Sequence, residues 1–564
     1  MLLVRIGAHP GVLPASFPAG TDFEKLKWTP GIYDDVSLAL ADDPLIESVQ
    51  VAPRLASSEI LVETRLRNAG TTPVTFALEQ AVSAWKGGAR AGAGPAASLT
   101  LAAGESRAIR QTLKVDGAHL WTPEDPFLYV LETTTGGDSL RTRFGMREFR
   151  YDTPTKRAYL NGRVYFLRGS NITLHRFLED PESKALPWDE AWVRRLLVEI
   201  PKRLHWNAFR FCIGPVPDKW LEIADEAGLL IQNEFFVWTG DPAWPQWPGR
   251  NWDVPQLVRQ YSDWMRDNWN HPSVAIWDAN NETKDAVFGE QIIPAVRQLD
   301  LSNRPWENSY NQPVGPDDPI EDHPYLFISQ FLGQPPFEMT MLERSPGAST
   351  QSPIAAHASV LNEYGWLWVR RDGEPTVLTT KVYERLLGKD ATPAQRLELN
   401  AYLLAGKTEY WRAHRNYAGI LHFVYLTCSY PSVFTADHFE DVAALKLNPW
   451  FEDYMGEAMK PLGVYLNFFQ PKLEAATSRS YRVMMVNDGY AAEKGELRVA
   501  FEAEDGRETT RAVAPFQITP LGTLTSDLEL RAPAEPGRYI LKATALGESG
   551  ARTISRRKVS VERP

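Results

Sequence analysis

The sequence predicts a multidomain α and β protein in which a (β/α)₈ barrel is flanked by β-sandwich domains. Its 564 residues are too many for one hydrophobic core. From about residue 151, short apolar segments alternate with amphipathic ones, as a barrel requires, because each parallel strand needs a helical return. The regions before and after this stretch carry short alternating runs between Gly, Pro and Asn, which is typical of sandwiches.

The N-terminal 150 residues are predicted to be β-structure throughout. Residues 59–66 alternate between polar and apolar side chains, and residues 87–97, rich in Gly and Ala, are predicted to form an exposed connection. The opening MLLVRIGAHPG has too short an apolar stretch for a signal peptide and indicates a strand. The expected location is therefore the cytoplasm, or the periplasm or cell exterior if the N-terminus is truncated.

The barrel is predicted over residues 151–458 and opens with a hairpin whose two-residue turn is Asn161-Gly162. A doubly wound sheet would alternate in the same way, but no Gly-rich phosphate loop follows an early strand. Residues 459–564 are predicted to form a second sandwich. The predicted barrel strands are 209–213, 229–231, 274–277, 359–361 and 420–426, the helices are 190–204, 218–227 and 254–269, and the late β-segments are 481–486, 496–501 and 538–543.

Composition narrows the choice of partners. A net charge of -11 and a pI near 5.6 argue against nucleic acid or an anionic membrane, because both need a basic face. No apolar run of about eighteen residues could span a bilayer. Cys212 and Cys428 are predicted to be buried thiols. The 19 Trp, 20 Tyr and 24 Phe suit stacking on sugar rings but also fill cores, and a homo-oligomer is compatible with the sequence.

Two carboxylates follow predicted barrel strands. Glu282 ends the stretch WDANNE after an apolar run, and Glu363 follows Leu361-Asn362. Barrel enzymes carry their chemistry at the C-terminal ends of the strands, so both are candidates for acid/base or nucleophilic work. Glu234 and Glu307 also stand at strand ends, and for them hydrogen bonding to Arg210 or to sugar hydroxyls is the favoured interpretation.

The stretch around Glu282 resembles a known signature. Asn270-His271-Pro272-Ser273, then Trp277, then Asn281-Glu282 is similar to the acid/base motif of family 2 glycoside hydrolases, the group of β-galactosidases, β-glucuronidases and β-mannosidases. Asp278 departs from the Gly or Ser usual there. A His that commonly follows the second-strand Arg is also missing, near Ile213.

The resemblance extends along the chain. Residues 168–171 and 207–210 look like the first and second barrel strands, and residues 120–123 with 126–129 resemble an immunoglobulin-like domain, placed at 41–150. Residues 28–33 resemble the end of the family's N-terminal sugar-binding jelly roll. The resemblance therefore implies that residues 1–40 are a remnant of that domain, either truncated or reduced.

The resemblance also implies roles for site residues. Glu282 would be the acid/base and Glu363 the nucleophile of a retaining glycosidase, whose carboxyl groups lie about 5 to 5.5 Å apart. Arg210 would keep Glu363 ionised, although a purely structural Arg beneath the barrel is the alternative. Asn281 would bond the sugar 2-hydroxyl, and Tyr325 would support the nucleophile.

Further residues are candidates for sugar contact. His175 and His323 favour sugar-hydroxyl contacts or core packing over zinc, because no His/Cys/Asp cluster with metal spacing is visible, and we expect neither a metal nor a cofactor. Asn171 is a further candidate at the first strand. The loop 235–252, with Trp238 and three more Trp, is expected to form a stacking wall, with core packing as the alternative.

The leading interpretation is a retaining exo-β-glycosidase with β-galactosidase-like activity on an oligo- or polysaccharide. A β-glucuronidase is the first alternative, because Lys284, Arg370 and Arg371 lie close in sequence to the two glutamates and could meet a uronate. The second alternative is a non-catalytic carbohydrate-binding relative with a reduced jelly roll.

Overall fold

The computed structural model describes residues 22–27, 31–240, 252–345 and 356–563. Its N-terminal strands form two antiparallel sheets, β1-β2-β6 and β4-β3-β7-β8, with β5 also pairing β3. The predicted connection at 87–97 was wrong in part, since residues 90–93 pair with β3 by backbone hydrogen bonds that need no particular side chain. The strands are β1 (Leu45–Arg54), β2 (Glu59–Arg67), β3 (Val74–Ala84), β4 (Arg90–Ala93), β5 (Ala97–Leu101), β6 (Ser106–Lys114), β7 (Tyr129–Thr134) and β8 (Ser139–Phe144).

A small antiparallel sheet, β9 (Phe149–Asp152), β10 (Arg157–Leu160) and β11 (Arg163–Val164), leads into the barrel. The hairpin prediction is confirmed: Asn161 and Gly162 both have positive φ, at 51° and 77°, as a tight two-residue hairpin turn requires. This sheet packs beneath the barrel, so that the chain enters the first barrel strand from the N-terminal face.

Eight parallel strands form the central sheet, in the order β16-β15-β14-β13-β12-β19-β18-β17. β12 pairs with β19, which closes the barrel there, and in the described ranges no ladder joins β16 to β17. The predicted strands are confirmed to within a few residues. The barrel strands are β12 (Leu167–Ile172), β13 (Ala208–Phe211), β14 (Leu230–Glu234), β15 (Val274–Asp278), β16 (Trp306–Glu307), β17 (Ile320–Asp322), β18 (Ser359–Leu361) and β19 (Gly419–Leu426).

Helices surround the barrel, and the three predicted ones are present, 190–204 being divided by a π-helical turn at Arg195–Glu199. Among the described residues, none of the helices is both long and apolar enough to cross a lipid bilayer. The α-helices are α1 (Leu174–Phe177), α2 (Glu190–Arg194), α3 (Ile200–Arg203), α4 (Asp218–Ala227), α5 (Val254–Asn268), α6 (Ile293–Val296), α7 (Thr380–Leu387), α8 (Pro393–His414) and α9 (Pro449–Ala458).

The C-terminal strands form a second sandwich of two sheets, β22-β24-β27 and β23-β29-β28-β25-β26, and contain the three predicted β-segments. A hairpin, β20 (Phe439–Asp441) and β21 (Lys446–Leu447), precedes it. The sandwich strands are β22 (Leu462–Leu466), β23 (Lys472–Glu474), β24 (Ser478–Asn487), β25 (Glu493–Ala503), β26 (Glu508–Ile518), β27 (Thr523–Arg531), β28 (Gly537–Gly547) and β29 (Arg552–Glu562).

The motif residues Asn270 and His271 join the barrel to other elements and lie at the start of β15, not at its catalytic end. The Asn270 side chain accepts from the Val51 backbone N–H at 2.9 Å and donates to the Val49 carbonyl at 2.8 Å. The ring nitrogens of His271 lie 2.7 Å from Asp225 and 2.9 Å from Asp218. This part of the signature therefore ties β1 and α4 to the barrel.

We expect His271→Gln to lower thermal stability most at neutral pH. Burial alone would lower the pKa of His271, but Asp225 and Asp218 raise it to about 10. A raised folded-state pKa gives stability that is complete below the ordinary histidine pKa and is lost as pH rises through about 10. Thermal unfolding of both proteins from pH 6.5 to 10.5 should show a gap in Tm that closes with pH. A gap that stays constant would mean that His271 acts without its charge.

Candidate active site

Glu282 and Glu363 meet at the C-terminal end of the barrel. Glu282 follows β15 and Glu363 follows β18, and the strands deliver both to the same face. One carboxylate oxygen of each and a ring nitrogen of His323 all lie within 4.8 Å of one another. Glu363 is 4% exposed and Glu282 is 9% exposed. The separation suits a direct attack on a sugar carbon held between the two groups.

Three groups surround the carboxylate of Glu363. The Arg210 guanidinium donates from Nη1 to Oε1 at 2.5 Å, and the Tyr325 hydroxyl donates to Oε2. The Cys212 thiol lies 3.7 Å from Oε1. Both groups donate hydrogen bonds to the carboxylate and so fix its position, as attack on a substrate carbon would require.

Glu282 has a different environment. Its Oε1 accepts from the Tyr310 hydroxyl at 2.7 Å and lies 2.7 Å from Nδ1 of His323, whose Nε2 lies 3.2 Å from Glu321. Burial alone would lower the pKa of His323, but Glu363 and Glu321 raise it well above its ordinary value. Protonated His323 therefore holds a proton directly against Glu282, between the two carboxylates.

Arg210 also organises a polar layer inside the barrel. Besides Glu363 it bonds Asp278 at 3.0 Å, Asn281 at 2.8 Å and Glu234. Asp278 thus supplies the guanidinium with a second carboxylate where the resembling family has Gly or Ser. Burial raises the pKa of Asp278 to about 6 against the opposing charge of Arg210. Arg210 combines both predicted roles, contact with the nucleophile and structural support.

The competing carboxylates Glu234 and Glu307 lie within this layer and are fully buried. Burial raises the pKa of both well above the ordinary value, so each favours its protonated form. Glu307 accepts from the side-chain amides of Asn362 at 2.7 Å and of Gln232. Their surroundings are those of hydrogen-bonded residues beneath the site.

The segment that follows Glu363 is held by α8. The Tyr364 hydroxyl lies 2.9 Å from that of Thr408, and the Lys407 ammonium donates to the Gly365 carbonyl. Lys407 is fully buried, and burial lowers its pKa to about 7. The burial of this ammonium is offset by its hydrogen bond to the Gly365 carbonyl, two residues past Glu363. Lys407 therefore helps to position the backbone that carries Glu363.

Lys407→Met is therefore expected to lower kcat roughly tenfold with little change in KM, because the loss of one charged hydrogen bond shifts the segment carrying Glu363. A depressed lysine pKa costs folded-state stability as pH falls from the ordinary lysine value to about 7. Melting curves should accordingly show the Met variant gaining on wild type over that range. The control is Thr408→Val, which removes the neighbouring contact to Tyr364. An unchanged kcat in Lys407→Met would remove Lys407 from the positioning of Glu363.

An N-terminal segment reaches this site, and sequence reasoning did not anticipate it. The Arg176 guanidinium bonds Asp22 at 2.8 Å and also Glu24, and the rings of Phe23 and Trp238 are 5.0 Å apart. Burial raises the pKa of Glu24 to about 7; Arg176 opposes this, while Asp22, Glu282 and Glu363 add to it. Four acidic groups, Asp22, Glu24, Glu282 and Glu363, thus share the end of the barrel with Arg176. Local sequence patterns do not indicate Asp22 and Glu24 as site residues, because their contact with Arg176 joins segments about 150 residues apart.

The remaining predicted contacts lie around the pair. The Asn171 side chain is fully buried and donates to the carbonyls of Asn362 at 2.7 Å and His422 at 3.1 Å. His175 is half-buried, its Nε2 lies 2.9 Å from the Pro215 carbonyl, and burial lowers its pKa to about 4. Both residues already have protein partners.

The Trp238 ring is buried beside Phe23, and residues 241–251 of its loop, with Trp244 and Trp247, lie outside the described residues, as do residues 1–21 and 28–30 of the predicted jelly-roll remnant. Tyr310 and Cys212 were missed as site residues. Cys212 lies near the end of the predicted strand 209–213, and Tyr310 comes three residues after Glu307, which the sequence already placed at a strand end, so the argument from strand ends would have found both. Cys212 and Cys428 are buried and unpaired, as predicted.

Two of the three cations that the sequence suggested as contacts for a uronate, Arg370 and Arg371, form ion pairs with carboxylates of the protein. Arg371 pairs with Asp437 at 2.6 Å and with Asp180 at 3.0 Å, and Arg370 pairs with Asp372 at 2.6 Å. Each guanidinium is therefore charge-compensated before any substrate arrives. The Lys284 backbone N–H donates to the Gly240 carbonyl at 3.1 Å, which places Lys284 beside the Trp238 loop.

Two family profiles match consecutive parts of the chain. The profile of Glycosyl hydrolases family 2 matches residues 45–147, and the profile of its TIM barrel domain matches residues 154–312. The chain belongs to glycosyl hydrolase family 2. The second match contains the segment of Glu282, and the described barrel agrees with it. Membership of family 2 confirms the recognition made from the Asn-His-Pro and Asn-Glu residues.

Two curated proteins are similar to part of the chain. A putative β-glucuronidase of Formosa agariphila is 29% identical over 196 residues, which is 32% of this chain and 17% of that protein. A β-glucuronidase of Paenibacillus borealis is 29% identical over 206 residues, 33% of this chain and 32% of that protein. The matches thus span less than a third of each relative's own length.

Solved structures share the fold of this family 2 chain. The β-D-mannosidase of Dictyoglomus thermophilum has a TM-score of 0.63 at 15% identity, covering 92% of this chain and 67% of that one. The exo-chitosanase of Amycolatopsis orientalis has a TM-score of 0.67 at 16% identity, covering 93% and 64%. β-Glucuronidase 2 of Bacteroides uniformis has a TM-score of 0.56 at 16% identity, covering 92% and 61%.

Proposed function

We propose that this protein is a retaining exo-β-glycosidase in which Glu363 is the nucleophile and Glu282 the acid/base. The observation that carries the proposal is the facing pair, whose closest oxygens lie within 4.8 Å, with Arg210 and Tyr325 on one carboxylate and His323 and Tyr310 on the other. Inverting enzymes need a wider gap, about 6.5 to 9.5 Å between carboxyl groups, to admit water.

In the first step a Glu363 oxygen attacks the anomeric carbon, and the bond from that carbon to the glycosidic oxygen breaks. Glu282 gives its proton to the departing oxygen, and protonated His323, 2.7 Å away, stabilises the carboxylate that Glu282 becomes. Arg210 and the Tyr325 hydroxyl, already bonded to Glu363, hold it in line for the attack. The product is a sugar ester on Glu363.

In the second step Glu282, now ionised, takes a proton from water, and the oxygen of that water attacks the anomeric carbon. The bond to Glu363 breaks and its carboxylate returns to Arg210, so that two inversions leave the configuration unchanged. Asn281, whose side-chain oxygen accepts from Arg210, is proposed to turn its amide N–H₂ to the sugar 2-hydroxyl. That contact strengthens as positive charge develops on the ring.

For the sugar, the two curated relatives support a β-glucuronide as the first substrate to test, with the β-galactoside favoured by the sequence as the second. The ion pairs of Arg370 with Asp372 and of Arg371 with Asp437 argue against those two residues as the uronate contact. Arg176 is ion-paired as well, but its partner Glu24 lies close enough to Glu282 and Glu363 to feel their charges, which makes Arg176 the candidate. A uronate at Arg176 would compete with Asp22 and Glu24. Because the C-terminal end of the barrel carries several acidic groups, a neutral sugar is the second substrate class to test against a uronate.

The test is hydrolysis of 4-nitrophenyl β-glycosides carrying glucuronic acid, galactose, mannose and glucosamine, with the product configuration followed by NMR. We expect one sugar to be preferred by roughly a hundredfold or more in kcat/KM, with retention. Inversion would overturn the mechanism. Saturable binding of a sugar without any turnover would favour the non-catalytic carbohydrate-binding relative.

The catalytic trio is also a group that could hold a metal ion: Glu282, His323 and Glu363 each offer a ligand atom. We expect turnover to survive prolonged chelation, because Nδ1 of His323 is hydrogen-bonded to Glu282 at 2.7 Å and the proton between them occupies the ligand position. The measurement is kcat/KM before and after dialysis against a strong chelator. Loss of turnover that one divalent ion restores would assign the trio to a metal.

A further inference from the structure

A second cavity lies at the opposite end of the barrel from the catalytic pair. Its volume is about 420 Å³, within the usual range for small-molecule sites. It is bounded by the hairpin before β12, by the end of α8 and by β24 with the turn at 521–525 of the C-terminal sandwich. Phe166 and Ala418 line it just before the first residues of β12 and β19, at the N-terminal face.

The wall of this cavity carries an excess of positive charge. Arg168 at 2.5 Å, Arg412 at 2.8 Å and Arg415 all pair with one carboxylate, that of Asp488, whose side chain is 2% exposed. Arg157 is a fourth guanidinium and donates to the Arg415 carbonyl at 2.8 Å. Three cations thus share one anion, with a fourth cation beside them, in a partly desolvated cluster.

Two of these four guanidinium groups, those of Arg168 and Arg412, lie outside the cavity lining. Arg168 donates to the His205 carbonyl, and Arg412 donates to the carbonyls of Ala458 and Lys460. Arg157 and Arg415 instead line the cavity, together with Asp488. Burial and the charge of Arg415 lower the pKa of Arg157, as expected where cations crowd together. Three guanidinium groups share the carboxylate of Asp488, and within the described residues no carboxylate pairs with Arg157, so the cluster keeps an excess of positive charge that favours a bound anion.

The rest of the wall is partly apolar. Phe166, Met484 and Leu524 line it together with the polar residues His414, Thr523 and Thr525. The Arg415 guanidinium lies 4.6 Å from the centroid of the Phe166 ring. Guanidinium groups bind carboxylate and sulfate with paired N–H donors, while aromatic and thioether groups pack against a ring. A small inorganic ion would leave most of this surface without contact.

We propose that this interdomain cavity is a binding site for a ring-bearing organic anion, whose carboxylate or sulfate meets Arg157 and Arg415 and whose ring packs against Phe166 and Met484. Binding there joins the barrel to the C-terminal sandwich. It acts on the stability of that junction and leaves the chemistry at Glu282 and Glu363 unchanged. The proposal does not depend on the glycosidase reaction.

The probe is benzoate, titrated by calorimetry into the full chain at constant ionic strength, with acetate as the carboxylate that lacks a ring. We expect one saturable site for benzoate, at least about tenfold weaker binding of acetate, and a rise in Tm with benzoate. Arg157→Gln should weaken benzoate binding by about tenfold or more. Hydrolysis by this variant should equal that of wild type.

Arg163→Gln is the matched control, since Arg163 belongs to the same hairpin and lies over the Tyr490 ring outside the cavity lining. It should bind benzoate as wild type does. Arg157→Lys keeps the charge but lacks the paired N–H donors, so its benzoate affinity should lie between those of wild type and Arg157→Gln. This variant serves as the test if Arg157→Gln does not fold. Equal benzoate affinity in wild type and in both Arg157 variants, or no saturable binding in wild type, would overturn the proposal.

Discussion

Glu363→Gln is expected to abolish turnover of every aryl glycoside, by about 10⁴-fold or more in kcat, because no covalent intermediate can form without the carboxylate. The loss should not depend on the leaving group. In Glu363→Ala, added azide should fill the vacated space and give at most a glycosyl azide of inverted configuration. The measurement is a leaving-group series with the product stereochemistry determined by NMR.

Glu307→Gln is a suitable control for that experiment. Glu307 is another buried strand-end carboxyl, and since burial raises its pKa well above the ordinary value, the amide replaces a group that is already neutral. Its activity should stay within about tenfold of wild type. Comparable losses in the two variants would show that the polar layer as a whole, and not the nucleophile, controls the rate.

Glu282→Ala is expected to give a loss that depends strongly on the aglycone. Poor leaving groups, which need a proton, should slow by roughly 10²- to 10⁴-fold, whereas good ones should still form the intermediate and let it accumulate. Azide should then restore turnover and give a product of retained configuration, because it attacks the intermediate without base help. Rates with and without azide across the same leaving-group series measure this directly.

Tyr310→Phe provides the comparison for Glu282. It removes the hydroxyl that donates to Glu282 at 2.7 Å and keeps the carboxyl itself. The same dependence on the leaving group should appear at smaller amplitude. If the azide pattern instead appears in the Glu363 variant and not in the Glu282 variant, the two roles are exchanged.

The sequence predicted most of the barrel because its signals are local. Buried parallel strands such as Val274–Asp278 are continuous apolar runs, and a polar group directly after such a run falls at the catalytic face. Local pattern alone therefore assigns both Glu282 and Glu363 to that face. The exposed connection expected at 87–97 failed because backbone pairing of residues 90–93 leaves no compositional mark.

Non-local contacts could not be predicted in this way. Asp22 and Glu24 reach Arg176 across some 150 positions of sequence, and the contact of Lys407 with Gly365 joins a helix to a loop. Hydrophobic periodicity can identify the buried face of an amphipathic helix, but it does not say which backbone carbonyl a buried ammonium such as that of Lys407 will meet. Such contacts follow from how segments pack, which a single sequence does not determine.

The position of Asn270 and His271 affects how relatives of this chain should be sorted. These residues fasten β1 and α4 to the base of the barrel and do not touch the reacting groups. A homologue that kept them but lost Glu282 would still assemble its domains correctly and would be enzymatically silent. Searches that weight the Asn-His-Pro letters heavily will therefore collect inactive paralogues together with hydrolases, and screening for both glutamates is what separates the two.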